Sequence, residues 1–421
     1  MKEFAKTKRQ IATIYVKKGD YKKAKNIYDK IKSIADKLED KDLRLMYLDS
    51  ISFLYWRKSN YKKVMEIQKK ALKIIDKKIN KVKYLKILDQ LGSAYSGMGK
   101  MKKALEYVKL EYELAQKIGN INQQLTSLEK IGRIYWQQSD LKTALSYLEK
   151  AYKIAKSHNF KPNIMTAAGN IGVIYYYYND FENSLFYYKK FLEIAREFND
   201  KKNTAMALGN IAIIHHKYGD FDKAEKMYKK KLEISKEIDD PEGICNISLN
   251  LIEFYIDINK YKLINKYLKK AESLIEKYNY NQFLPDLYNF KYEYSKYNNK
   301  PDEALDYISK SIEHAEKMKK RELCVKSTIK KYNTIFEMKN KKSNKLNKAI
   351  VPLENLLNET EEKHYKALIK YNLTLMYYKI GNIKKAKDYK SSAIKDYKKM
   401  YKKVPNFKYK RRIEKLKNLC S

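Results

Sequence analysis

ALGNIAIIHHKYGDFDKAEKMYKKKLEISKEIDDPEGICNISLN, residues 207–250, is the most regular part of this 421-residue chain. It contains one whole period of a repeat, from Asn210 to Asn250, forty residues later. Each asparagine is followed by an apolar residue and then, four positions on, by a ring at His215 or Tyr255. Apolar residues spaced by three and four lie on one face of a helix. The Gly219-Asp220 pair interrupts this spacing, so the stretch predicts two helices joined by a turn.

The same forty-residue period extends through the first two thirds of the chain. A ring recurs at seven places, namely Tyr15, Tyr55, Tyr95, Tyr135, Tyr175, His215 and Tyr255. Four residues before each ring the side chain is branched and apolar. A strict period of this size is typical of a supersecondary unit that is stacked many times. The sequence therefore predicts an all-α repeat array rather than a globular enzyme.

Small residues and turn residues complete the unit. A small residue often stands three positions before the ring, as at Gly92 and Gly132, where a second helix can approach closely. Gly or Asn tolerates a left-handed backbone at the end of one helix, and Asp or Asn caps the start of the next. Such pairs recur between the two helices at Gly19-Asp20, Ser59-Asn60, Ser139-Asp140, Asn179-Asp180, Gly219-Asp220 and Gly381-Asn382. Each unit is thus predicted to be a helix hairpin.

The pattern G-x-x-Y…G-D-[FY]-x-x-A resembles the tetratricopeptide repeat (TPR) in its forty-residue form. Residues 207–250 are similar to repeats of Pins-type adaptors and, less closely, to kinesin light chains and MalT-type regulators. The resemblance implies an α-solenoid, a right-handed superhelix of about ten TPR hairpins with a C-terminal closing helix. It says little about function, because one repeat type serves many partners.

The units differ in regularity along the chain. Seven regular units are predicted over 5–284 and three less regular units over 285–397. The ninth unit has a turn lengthened by KNKKSNKLNK at 339–348. A basic segment, 398–421, is predicted to form the capping helix, since terminal units need a polar outer face.

The net charge of +41 is the second prominent feature of the sequence. Only eight of the 91 basic residues are arginine, although sites that read phosphates or bases use the bidentate arginine fork. Mutational bias toward lysine codons and a functional basic surface remain alternative explanations. We expect a solvated lysine surface, no specific nucleic-acid site, and weak polyanion binding at low salt.

Other features limit the class of protein. The sequence lacks an apolar run long enough to span a bilayer and an apolar secretion signal, and its three cysteines form no CxxC motif. These features favour a cytoplasmic protein with reduced thiols. The sequence also lacks HExxH, Walker and GxSxG motifs. We therefore expect a protein that is not an enzyme, with no metal and no cofactor.

Candidate binding residues follow from the resemblance. Asn170, Asn210 and Asn250 stand in one register, where Pins-type and chaperone-adaptor repeats carry a concave-face asparagine that hydrogen-bonds a peptide backbone. An amide supplies two donors and an acceptor, which suits a peptide of any sequence. The alternative is that three asparagines in register reflect chance and repeat duplication.

Aromatic and basic residues near this register are further candidates. Trp56, Trp136 and Tyr176 follow the ring position, which borders the groove in the family. They are predicted either to anchor a partner or to pack between neighbouring units. Arg133 is predicted to meet a carboxylate of the partner.

Two functions are consistent with these features. The first is a non-catalytic scaffold whose concave groove binds an extended peptide or a partner helix. The alternative is a regulatory sensor module of a signalling or transcription-control system, as the C-terminal part of a larger protein. An attached effector domain would distinguish them, and residues 1–421 contain no sign of one.

Overall fold

The computed structural model describes residues 1–338, 343–403 and 406–420. These residues form twenty-one α-helices and no strand. The lengthened turn was predicted over 339–348; residues 339–342 lie outside the described residues, and residues 343–348 are helical rather than part of a turn. The helices are α1 (Lys2–Lys17), α2 (Tyr21–Lys37), α3 (Lys41–Arg57), α4 (Tyr61–Ile74), α5 (Lys81–Gly97), α6 (Met101–Lys117), α7 (Ile121–Gln137), α8 (Leu141–Ser157), α9 (Lys161–Tyr177), α10 (Phe181–Glu197), α11 (Lys201–Tyr218), α12 (Phe221–Glu237), α13 (Pro241–Asp257), α14 (Ile264–Tyr278), α15 (Leu284–Tyr297), α16 (Pro301–Lys317), α17 (Arg321–Met338), α18 (Ser343–Glu359), α19 (Lys363–Lys379), α20 (Ile383–Lys403) and α21 (Phe407–Lys417). The predicted all-α array of helix hairpins is confirmed.

The predicted turn chemistry is also confirmed. Gly19 has a φ of 84°, and the Asp20 carboxylate accepts a hydrogen bond from the Lys23 amide at the start of α2. Ser139 has a φ of 63°, and Asp140 caps α8 in the same way. Each pair ends one helix and begins the next.

One predicted cap is absent. Asp220 makes no side-chain hydrogen bond to the amides at the start of α12. Its Oδ2 atom instead lies 3.1 Å from His215 Nδ1. The imidazole at the ring position of this unit therefore replaces the backbone amide as the partner of the carboxylate.

Small residues allow the two helices of a hairpin to approach closely. A Cβ atom placed on Gly132 of α7 would lie 2.7 Å from Leu148 Cγ and 3.3 Å from the Ala144 carbonyl oxygen, both in α8. A Cβ atom on Gly92 of α5 would lie 2.6 Å from Val108 Cγ2 of α6. The predicted close helix crossing is present, and it leaves no room for a larger side chain.

A ring–ring contact recurs within hairpins. The ring of the first helix stacks on a second tyrosine twelve residues later, in the second helix. These pairs have centroids 5.4 to 5.8 Å apart and are Tyr95–Tyr107, Tyr135–Tyr147, Tyr255–Tyr267 and Tyr377–Tyr389. Offset stacking of this kind adds about 0.5–1.5 kcal/mol per pair to the burial of the rings. The ring at the repeated position therefore stabilises the hairpin to which it belongs.

The chain forms two compact units, Met1–Tyr178 and Asn179–Ser421. Within each unit, consecutive first helices contact one another, as α1 does with α3 and α13 with α15. Consecutive second helices contact each other less in the part of the chain that the structure describes. The first helices therefore line the inner side of each unit.

The basic C-terminal segment is divided between two helices. The last helix of the tenth hairpin, α20, continues to Lys403, so the closing helix α21 begins at Phe407 rather than at Lys398. Leu416 of α21 is fully buried beside Ala393 and Tyr397 of α20. The division of the sequence into 5–284, 285–397 and 398–421 remains a prediction based on repeat regularity.

Candidate functional site

Two of the predicted asparagines lie on the first helices of the Asn179–Ser421 unit. Asn210 belongs to α11 and Asn250 to α13, and both side chains are half-buried. The residues that follow them, Ile211 and Leu251, are buried in the core. Neither amide makes a side-chain hydrogen bond to another described residue. Their donors and acceptors are therefore available on the inner side of the unit.

A buried lysine lies next to this pair of asparagines. Lys231 of α12 is only 9% exposed, and a Cβ atom on Gly209 would lie 2.7 Å from its Cδ atom. Its Nζ atom donates to Asn246 Oδ1 over 2.6 Å. Burial lowers the pKa of Lys231 to about 8. Asn246 lies one helical turn before Asn250, so the lysine fixes a further amide on α13 and leaves its NH₂ group as a donor.

Comparing the same position across the repeat units identifies Lys231 and Glu111 as buried charges from the sequence. The position of Lys231 is occupied by Ile31, Ala71, Ala151, Phe191 and Ala271 in five other units, and all five are buried. Only Glu111 and Lys231 are charged at this position among the seven regular units. A charge in a core register requires a polar partner. The expectation of a solvated lysine surface therefore fails at Lys231, which is buried.

Glu111 is the counterpart of Lys231 in the Met1–Tyr178 unit. It is fully buried, and burial raises the pKa of its carboxyl group. The Lys130 ammonium lies 3.2 Å from Glu111 Oε1 and also pairs with Asp89. Lys130 occupies in α7 the register that Asn170 occupies in α9. The carboxylate of Glu111 thus has its cationic partner within the fold, which favours a structural role for this charge.

The remaining polar candidates of this unit are Asn170 and Arg133. Asn170 is half-buried on α9 and makes no side-chain hydrogen bond to the described chain. Arg133 is exposed on α7, one turn after Glu129. Burial raises the pKa of Glu129 to about 7, although Arg133 and Lys130 oppose this shift. Arg133 thus faces a carboxyl group of its own helix, and its role toward a partner remains a prediction.

The aromatic candidates make contacts within the fold. Trp56 is 38% exposed and meets the Tyr61 ring of its own hairpin at 5.2 Å. Trp136 meets the Tyr177 ring of the next hairpin at 5.9 Å, and Tyr176 meets the same ring at 5.9 Å. Because Tyr177 lies in the next hairpin, its contact with Trp136 favours the interpretation that Trp136 packs between neighbouring hairpins. The anchoring role of all three residues remains a prediction.

The consecutive histidines have different environments. His215 keeps the ring register and is partly buried, whereas His216 is 2% exposed. The Tyr228 hydroxyl lies 3.5 Å from His216 Nδ1. Among the residues that the structure describes, no group of three or more His, Cys, Asp or Glu side chains is arranged to hold a metal ion. None of the helices in this part of the chain has the length and apolar character that a membrane crossing requires.

Comparison with protein families identifies the repeat. Residues 84–157 and 163–237 match a family described as Tetratricopeptide repeat, and residues 10–38 match a second family of that description. Residues 215–404 match the SusR N-terminal TPR domain. These matches together span most of the sequence, and the hairpins fold as the family requires. The chain belongs to the tetratricopeptide-repeat proteins.

Several solved structures share this fold. The apo form of the quorum sensor NprR from B. thuringiensis is 16% identical over 86% of this chain and 99% of that one, with a TM-score of 0.56. Aspartyl phosphate phosphatase F from Bacillus subtilis is 17% identical over 83% and 93%, with a TM-score of 0.55. A Rap protein complexed with Competence and Sporulation Factor is 13% identical over 83% and 100%, with a TM-score of 0.53. At sequence identities this low, the similarity indicates a shared fold alone. No curated protein matches the sequence.

Proposed function

We propose that the chain is a non-catalytic protein-interaction module that binds an extended peptide along the first helices of its Asn179–Ser421 unit. The observation that carries this function is the pair of half-buried amides of Asn210 and Asn250, which have no hydrogen-bond partner in the described chain. An extended peptide offers a carbonyl and an amide at every residue, so it can satisfy both side chains.

The neighbouring groups support the same function. Asn246 presents its NH₂ group one turn before Asn250, because Lys231 holds its carbonyl oxygen. Each new hydrogen bond contributes about 1 kcal/mol to binding. Asn170, Arg133, Trp56, Trp136 and Tyr176 belong to the other unit, and we propose that they serve the same kind of partner there.

The test begins with a random peptide library selected on the full-length chain. We expect the N210A/N250A variant to bind a selected peptide about thirtyfold more weakly, because two hydrogen bonds of about 1 kcal/mol are lost. Fluorescence anisotropy measures the dissociation constants. Asn265→Ala is the matched control, since Asn265 is an exposed asparagine on the second helix α14.

Two results would contradict this function. One is an equal loss of affinity in the Asn265 control, which would place the peptide elsewhere. The other is a loss of helicity in the double variant, because it would show that the two asparagines support the fold.

A regulatory sensor is the second candidate function. The observation that favours it is the contact of the chain's own helix α21 with α11, a helix that carries one of the two asparagines. The similar NprR structure is described as a quorum sensor. In such a module, a bound peptide would change the position of α21 and so alter an output.

A further inference from the structure

The first turn of α21 lies against helices far away in the sequence. The Phe407 ring stacks on the His216 ring, with 5.9 Å between centroids and 26° between planes. It also meets the Phe221 ring edge to face at 5.2 Å. A Cβ atom on Gly219 would lie 3.5 Å from Phe407 Cβ, so the turn between α11 and α12 also borders this ring. Phe407 is therefore held by aromatic residues of the sixth hairpin.

The next residue, Lys408, is held by two carboxylates of α13. Its Nζ atom lies 2.6 Å from Asp257 Oδ2 and 3.4 Å from Glu253 Oε1. His216 Nε2 lies 3.0 Å from the same Asp257 oxygen. Partial burial disfavours ionisation, but nearby cations hold the pKa of both carboxyl groups below their ordinary values. Both groups are ionised and favour a cation beside them.

Among the seven regular units, the two carboxylates occur only in the seventh hairpin. Glu253 and Asp257 stand two residues before and two residues after Tyr255, the ring position of α13. At these positions the six preceding units carry no Asp and no Glu. A contact required by the repeat fold would recur in every unit. The acidic pair is therefore an addition to the repeat pattern.

The remainder of α21 is anchored by separate contacts. Leu416 is fully buried beside Ala367, Ala393 and Tyr397. The Arg412 guanidinium lies 5.6 Å from the centre of the Tyr397 ring. These contacts belong to the tenth hairpin, so α21 can stay attached to it when Phe407 and Lys408 leave their positions.

We define the aromatic–acidic pocket by the rings and carboxylates that contact Phe407 and Lys408, namely His216, Phe221, Glu253 and Asp257. We propose that this pocket recognises an aromatic residue followed directly by Lys or Arg in a partner peptide, and that Phe407–Lys408 occupies it as an internal competitor. This recognition rests on the proposed function, peptide binding by the same unit, and adds the chemistry of the bound motif. The rings accept an aromatic side chain, and the carboxylates select a cation.

An internal competitor lowers the apparent affinity for an external peptide. The apparent affinity is the affinity of the open pocket multiplied by the fraction of molecules in which the pocket is open. A tethered segment reaches effective concentrations of about 1 mM, so it fills even a weak site. Removing the Phe407 ring and the Lys408 charge opens the pocket and leaves the pocket residues unchanged. External peptide should then bind more tightly than it does to the native chain.

The test uses the full-length chain and a labelled peptide, NFKYKRR, which has the sequence of residues 406–412. We expect the F407A/K408A variant to bind this peptide at least about tenfold more tightly than the native chain in fluorescence anisotropy at about 150 mM salt. Two controls should lose binding. One is the peptide in which both aromatic residues, the Phe and the Tyr, are replaced by Ala, so that no aromatic residue precedes a basic one. The other is the same chain variant with E253Q and D257N added.

Equal affinity for the native chain and the variant would overturn this recognition. So would the absence of binding to a variant that keeps native helicity. If the double variant loses helicity, K408A alone retains the ring, and it too should bind the peptide more tightly than the native chain.

The two proposals can fail separately. Library peptides that depend on Asn210 and Asn250, but not on Glu253 and Asp257, would overturn the aromatic–basic motif alone. Peptides that depend on neither pair would overturn the proposed function as well.

Discussion

Glu129 shows how a single residue can set a pH dependence in a repeat protein. Its pKa is about 7 in the folded chain, above the ordinary value of 4.5, because burial disfavours the carboxylate. The folded state therefore binds this proton more tightly than the unfolded state. The stability that the group contributes is full below pH 4.5 and is lost as the pH rises to about 7. Above that pH the carboxylate is a constant cost.

Glu129→Gln should remove this cost. We expect the variant to gain up to about 3 kcal/mol at pH 8 and little at pH 4, since one pKa unit is worth about 1.4 kcal/mol. Urea denaturation followed by circular dichroism at both pH values measures the difference. Glu113→Gln, at an exposed position of α6, is the control. An equal gain at both pH values would contradict the assignment to Glu129.

At the scale of the element, the turns that join consecutive helices use a left-handed residue even where it is not glycine. Ser139 adopts a φ of 63°, whereas Gly119 adopts a φ of 69° at the equivalent end of another helix. A left-handed backbone costs a residue with a Cβ atom about 1 kcal/mol. The turns therefore differ in stability although their shapes agree.

Exchanging these residues should move stability in opposite directions. We expect Ser139→Gly to stabilise the chain by up to about 1 kcal/mol and Gly119→Ser to destabilise it by a similar amount. Thermal melting followed by circular dichroism measures both changes. A loss of stability in the Ser139 variant would show that its hydroxyl contributes more than the strain removes.

At the scale of the whole molecule, the net charge of +41 opposes compactness. Salt screens this repulsion, because the Debye length falls from about 30 Å at 0.01 M to about 8 Å at 0.15 M. Salt also weakens the surface ion pairs, but each is worth only about 0–1 kcal/mol. We expect the repulsion to dominate, so the chain should melt at a higher temperature in 0.15 M than in 0.01 M NaCl. An equal concentration of sucrose is the control for non-ionic effects, and an unchanged melting temperature would contradict this balance.

The sequence was sufficient to predict features that depend on one hairpin and its neighbour. The left-handed turn at Gly19, its cap at Asp20 and the close crossing at Gly132 follow from a local pattern that the period repeats. The burial of Lys231 was not predicted, because it becomes evident only when residue 231 is compared with the equivalent residues of the other repeat units. The contact of Lys408 with Glu253 joins residues 155 positions apart, and no periodic signal encodes such a distance.

The placement of the tryptophans has an optical consequence. Trp56 and Trp136 are the only two in the sequence, and both lie in the Met1–Tyr178 unit. The forty tyrosines are spread along the chain. Light at wavelengths that tyrosine does not absorb therefore excites one unit alone. The fluorescence emission of the native chain thus distinguishes events in that unit from those in the rest of the molecule, without any attached label.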